Sequence, residues 1–129
     1  MIEFELTKDL QRLTGLTVWP LMLPEHAQEG VTLLRVSDAK VDTGLAQTAL
    51  VEGRFQVTFI LVDDYERLLR LDSFVRQAWE SVQHGAIGDW PVQAVRRGTV
   101  HQDMTPLENN RKQYRLIRDF IIVYPEDAT

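Results

Sequence analysis

The chain has 129 residues, 44% of them hydrophobic and 26% charged, with a formal charge of -5 and a sequence pI near 5.1. Such totals fit one globular domain and argue against a protein whose main task is neutralising phosphates. The absence of cysteine excludes disulfides, thiolate nucleophiles and cysteine-ligated zinc, and it suits a reducing compartment.

No stretch approaches the roughly 20 apolar residues needed to cross a bilayer as a helix. Met1-Ile2-Glu3-Phe4-Glu5 lacks the basic-then-apolar order of a secretion signal, so the expectation is a soluble, unprocessed protein. Arg96-Arg97 and Arg111-Lys112 are the basic doublets. They read either as solvated strand ends or as a local contact with an acidic partner surface.

Leu6, Leu10 and Leu13 recur at helical spacing and Gly15 supplies a stop, which predicts a short amphipathic helix over 3–14. Pro20, Pro24 and the polar run 25–30 leave room for one short strand near 17–19 and then a loop. The β-branched and leucine-rich run 31–37 predicts a strand. Residues 38–53 have no steady period and read as a mobile loop or an irregular hairpin arm.

The clearest strand is 53–62. Phe55, Val57, Phe59 and Leu61 share one face, and Gln56, Thr58, Ile60 and Val62 the other. The period then changes. Asp63 is placed to cap a helix and Glu66 follows three residues later, as in a capping box. The helix carries a stripe of Leu68, Leu71, Val75, Ala78, Trp79 and Val82, with Glu66, Arg67, Arg70, Asp72, Arg76 and Glu80 mostly off that seam. Burial of such a stripe contributes on the order of 10 kcal/mol, well above any capping term. Gly85 and Gly88 are expected to end the helix, with a strand over 92–100 and a turn within 105–110.

The last strand spans 113–124. Tyr114, Leu116, Phe120, Ile122 and Tyr124 lie on one face, broken by Arg118; Ile117, Ile121 and Val123 lie on the other, broken by Asp119. Both faces need cover, which either the monomer itself or another subunit could supply. The predicted class is α+β, with element order α-β-β-β-α-β-β. Its single sheet, antiparallel or mixed, has four to five strands and carries the long helix and the shorter N-terminal helix on one face.

The chemistry-bearing residues form no recognisable constellation. His26, His84 and His101 have no metal-ligand spacing, Asp63-Asp64 is explained by capping, and no phosphate-binding loop, nucleophile elbow or zincin motif occurs. No catalytic, cofactor or metal residue is assigned, no cofactor is expected, and no nucleic-acid recognition is expected. Trp79 reads as core, while Trp19 and Trp90, each before a proline, read as loop anchors with a ligand stack as the alternative.

The run Gly53-Arg54-Phe55-Gln56-Val57-Thr58-Phe59, then Asp64-Tyr65 and the helix Leu68-Leu69-Arg70-Leu71 through Val75-Arg76-Gln77-Ala78, resembles the strand-to-helix segment of bacteriophage tail-terminator (tail-completion, minor tail) proteins. The close, Tyr114-Arg115-Leu116-Ile117-Arg118-Asp119-Phe120-Ile121-Ile122-Val123-Tyr124, is similar to the final strand of that family. These stretches cover about half of the chain, and the first fifty residues match only in outline.

The resemblance implies a non-enzymatic structural subunit of a phage or prophage, assembled in the bacterial cytoplasm and residing in the virion tail. Such subunits form a homo-oligomeric ring, commonly a hexamer. The ring stacks on the last ring of tail tube protein, ends polymerisation and offers a surface to the head–tail connector protein. Ring contacts are expected from the last strand and long helix, sampled by Arg76, Phe120 and Ile122. Partner contacts are expected from the segments 38–52 and 102–112, with Lys40, Asp42, Asp103, Glu108 and Arg111. The alternatives are another connector-ring component, or a small ligand-binding or catalytic domain with its pocket between sheet and helix.

Overall fold

The computed structural model describes residues 1–42 and 47–126. Helix α1 (Ile2–Thr14) buries Ile2, Leu6 and Leu10 and closes at Gly15, whose N–H donates to the Gln11 carbonyl. The strands that follow are β1 (Val18–Pro20), β2 (Gly30–Asp42) and β3 (Gln47–Val62); then come helix α2 (Tyr65–Glu80) and β4 (Gln83–Ile87). Strand β5 (Trp90–Pro106), a single 3-10 turn (Glu108–Asn110) and β6 (Lys112–Pro125) complete the chain. The α+β class and the two helices agree with the sequence reading.

The sheet is larger than expected. It has six strands in the order β1-β2-β3-β6-β5-β4, with β1 parallel to β2 and every other pair antiparallel. The additional strand is β4, in which only Ile87 is buried, so Gln83 to Ala86 show none of the alternation that marks a half-buried strand. Gly85 lies within β4, and Gly88, at φ 58°, forms the hairpin turn. A Cβ on Gly88 would stand 2.6 Å from Glu5 Oε1; that oxygen accepts from the Asp89 N–H at 2.8 Å and ties α1 to the hairpin. The segment 38–53 resolves in favour of the hairpin arm: β2 and β3 pair from Gly30↔Ile60 to Asp42↔Gln47. Residues 43–46, which belong to the same expectation, lie outside the described residues.

The cap of α2 also moves by one residue. Asp64 accepts from the Arg67 N–H at 3.0 Å, while Asp63 turns away at φ 57° and accepts from the Lys112 N–H at 2.8 Å. Capping one helix and holding the start of β6 are thus divided between adjacent carboxylates.

Both helices lie on one face of the sheet. Phe55, Val57, Phe59 and Leu61 of β3, Leu116, Phe120, Ile122 and Tyr124 of β6, and Val31 and Leu33 of β2 pack under them with Leu68, Val75 and Trp79 of α2. Trp79 meets Phe120 edge-on at 5.0 Å between centroids, and its Nε1 donates to Asp9 of α1 at 2.7 Å.

The break at Arg118 in this apolar face is filled by α2. Asp72 is buried, and Arg118 donates to it through Nε and Nη2, each at 3.0 Å, in a two-pronged pair. Arg76, one turn further along α2, donates to the same carboxylate at 3.0 Å. The guanidinium fork matches the carboxylate in plane and spacing, so α2 is held over β6 in one register. Removing one partner strands a buried charge. Asp72→Ala is therefore expected to lower stability by about 3–5 kcal/mol in chemical denaturation. The double replacement Asp72→Leu with Arg118→Met is expected to recover much of that loss, because no unpaired charge remains.

Candidate interaction surface

Among the described residues, no helix lies on the opposite face of the sheet. It presents Arg54, Gln56, Thr58 and Ile60 of β3 against Ile121, Asp119, Ile117 and Arg115 of β6. Thr32 and Leu34 of β2 border it on one side, and Ala94 and His101 of β5 on the other. Ile117, Ile121 and Val123 are half-buried, whereas Ile60 is only 5% exposed.

A buried carboxylate organises the middle of this face. Asp119 accepts from Arg54 Nη1 at 3.0 Å, Thr99 Oγ1 at 3.1 Å and Gln56 Nε2 at 3.5 Å. Thr99 reaches it because β5 bulges between Arg97 and Val100, and the bulge includes Gly98. A Cβ on Gly98 would fall 2.8 Å from Asp119 Cβ and 3.0 Å from its carbonyl, so the close approach of β5 to β6 requires glycine. Arg118 and Asp119, neighbours in sequence, thus send opposite charges to opposite faces, and each is neutralised where it lands.

The loop 21–29 roofs one end of the face. Leu21 adopts the left-handed conformation, at φ 70°, which is uncommon for a branched side chain and costs on the order of 1 kcal/mol. It is held there by its N–H donating to the Leu33 carbonyl at 3.1 Å, with the Met22 N–H donating to the Pro20 carbonyl at 2.8 Å. The outcome is an apolar tip that faces solvent, with Leu21 67% and Met22 74% exposed. Between loop and sheet lies a groove of about 400 Å³ lined by Leu21, Met22, Leu23, Ile60, Ile117 and Arg115, among others. Further side chains anchor the loop. Arg111 Nη1 donates to Gln28 Oε1 at 2.9 Å, Gln113 Nε2 to the Gln28 carbonyl at 3.0 Å, and Glu29 accepts from the Val62 N–H at 2.8 Å.

The residues singled out from sequence fall in different places. Phe120 and Ile122 are fully buried beneath the helices and are unavailable to a partner; the half-exposed members of that strand are Ile117, Ile121 and Val123. Arg76 is half-buried and engaged with Asp72. Lys40 is exposed on β2 opposite Val51, and Asp42 ends β2, its side chain outside the described residues. Asp103 lies in β5 instead of a loop and pairs with Arg115 through two bonds of 2.8 and 2.7 Å. Glu108 sits in the 3-10 turn, where its carbonyl accepts from Arg111 Nε at 3.3 Å.

Of the aromatic anchors, Trp90 Nε1 donates to the Pro125 carbonyl at 3.1 Å and Trp19 stands edge-on to His26 at 5.9 Å. Among the described residues, no three His, Asp or Glu side chains are grouped to hold a metal ion. The Leu21–Met22 tip was missed at the level of sequence, although its signal is legible: three large apolar residues between Pro20 and Pro24 in a segment that cannot be strand or helix.

No protein-family model matches the chain, and no curated protein matches it.

Two predictions follow from this geometry. Ile121→Glu, on the helix-free face, should leave a cooperative thermal unfolding transition, whereas Ile122→Glu should abolish it, because only the second buries an unpaired carboxylate. The second concerns pH. Asp103 is held below the usual carboxylate range by its bonds to Arg115, Glu80 by its bond from Arg97, and Glu5 by the Asp89 N–H and then Lys8. The folded chain keeps these groups ionised where the unfolded chain has already taken up protons, so stability rises with pH. Denaturation series should show this contribution complete above about pH 5 and lost as pH falls below about 4, through the depressed folded values. Asp103→Asn should make that fall shallower.

Proposed function

We propose that the chain is a tail-terminator subunit of a long-tailed phage or prophage, a structural protein that caps the tail tube and gives the head connector its landing surface. One observation carries the reading most directly: the final strand, which is similar to that of the family, turns Ile117, Ile121 and Val123 to a face over which no helix lies among the described residues. The Leu21–Met22 tip stands at the rim of the same face. Half-exposed apolar side chains beside an exposed apolar tip are a surface that a protein partner could cover. The acidic balance of the chain suits protein partners over nucleic acid.

In this reading the last ring of tube protein is the occupant of the helix-free face. Complementary fit at that face removes the position where a further tube ring would add, so growth stops without chemistry. The test is assembly of the tube protein of the same phage, with tube lengths measured by electron microscopy. The intact chain should stop elongation and sit at one tube end, while Ile121→Glu and the pair Leu21→Ser with Met22→Ser should not. Unchanged tube lengths and no co-sedimentation with tubes would overturn the proposal.

The groove of about 400 Å³ beneath the loop 21–29, with Gln56, Gln113 and Arg115 in its lining, favours a second reading, a small-ligand site. A small polar-apolar ligand that raises the melting temperature, and fails to do so in Ile117→Trp, would support it.

A further inference from the structure

The sheet ends in two stepped edges. On one side β1 pairs with β2 only over residues 31–33; on the other, β4 pairs with β5 only as far as Ala94. Beyond those points, no strand among the described residues pairs with the outer edge of β2 over 34–40 or of β5 over 95–106. Each uncovered stretch begins near a bulge, between Arg35 and Ser37 on β2 and between Arg97 and Val100 on β5, and then runs in regular register to Lys40 and to Pro106.

The two steps lie diagonally across the sheet. Residues 37–40 of β2 stand level with 51–54 of β3 and 121–124 of β6, the end at which β4 covers β5. Residues 100–106 of β5 stand level with 112–118 of β6, the end at which β1 covers β2. Strands β2 and β5 also run in opposite directions, because β3 and β6 separate them in an antiparallel succession.

A second copy in the same orientation, shifted along the strands, therefore brings its β2 antiparallel to the first copy's β5. Its helices stay on the same side, and the short strands β4 and β1 of the two copies occupy the steps above and below the seam. An edge with unpaired N–H and C=O groups is a template for strand addition. Val36 on the β2 stretch and Val100 and Met104 on the β5 stretch are exposed large apolar side chains.

We infer that copies of this chain join edge to edge, β2 of one to β5 of the next, so that the sheet continues from subunit to subunit. This rests on the ring-forming reading above and names the contact that builds the ring. A single foreign strand would fill one edge and leave the other bare. A second copy fills both in turn, and the contact is heterologous, as ring closure demands.

The chain contains no cysteine, so site-directed cross-linking is unambiguous. Ser37 and His101 are exposed and face the helix-free side from the two edges. Ser37→Cys and His101→Cys, each folded by circular dichroism, should yield a covalent heterodimer with a short bis-maleimide when mixed, and little product alone. The double variant should give a ladder that ends at the ring size seen by native mass spectrometry. Rings without the mixed cross-link, or Ser37→Cys linking to itself as readily as to His101→Cys, would overturn edge pairing and leave the capping proposal standing. A strict monomer both alone and with tube protein would overturn both.

Discussion

The placement of α2 on the sheet turns on one ion pair, Arg118 with Asp72, set where an apolar strand face meets an apolar helix face. Hydrophobic burial of Leu68, Val75 and Trp79 supplies most of the stabilisation but is non-directional, unlike a hydrogen-bonded pair. The two-pronged bond admits only one position. Moving α2 by a turn would take Asp72 and its helix neighbour Arg76 away together and leave the buried Arg118 guanidinium without a carboxylate, a strongly destabilising loss. The position of α2 thereby fixes which parts of the sheet are covered, and so which parts are not.

What is not covered follows from strand direction and the single step between residues 118 and 119. One residue carries its charge under the helix, and the next carries the opposite charge to the bare face, where Arg54, Gln56 and Thr99 receive it. Around this satisfied polar centre, Ile117, Ile121 and Val123 remain half-buried. An antiparallel sheet with one solvated face normally alternates, and apolar residues at these half-buried positions depart from that pattern. Their apolar character favours a partner on that side and is the physical basis of the capping proposal.

Much of the architecture was legible in the chain. Alternation over 53–62 and the stripe from Leu68 to Val82 announced the central strand and the long helix, because each buries one face and so leaves its period in the sequence. The apolar parity of Phe120 and Ile122 was read correctly, but parity does not say which of two greasy faces the helices take; burial assigned them to the core. Strand β4 left no trace because it is held by backbone bonds to β5 and buries only Ile87. By spacing alone Asp72 lies off the apolar seam of α2. Its role emerges only from the meeting of two distant segments, and no local pattern encodes such a meeting. The same holds for the Asp119 cluster, gathered from β3, β5 and β6.

The tip at Leu21 and Met22 is a costly thing to keep: a strained backbone turn that exposes two side chains most sequences would hide. The Leu33 carbonyl holds the backbone of Leu21, and Arg111 and Gln113 hold the far end of the loop at Gln28, so the loop backbone is already restrained. Were a partner to close over such a spot, most of the backbone ordering entropy would already have been settled during folding.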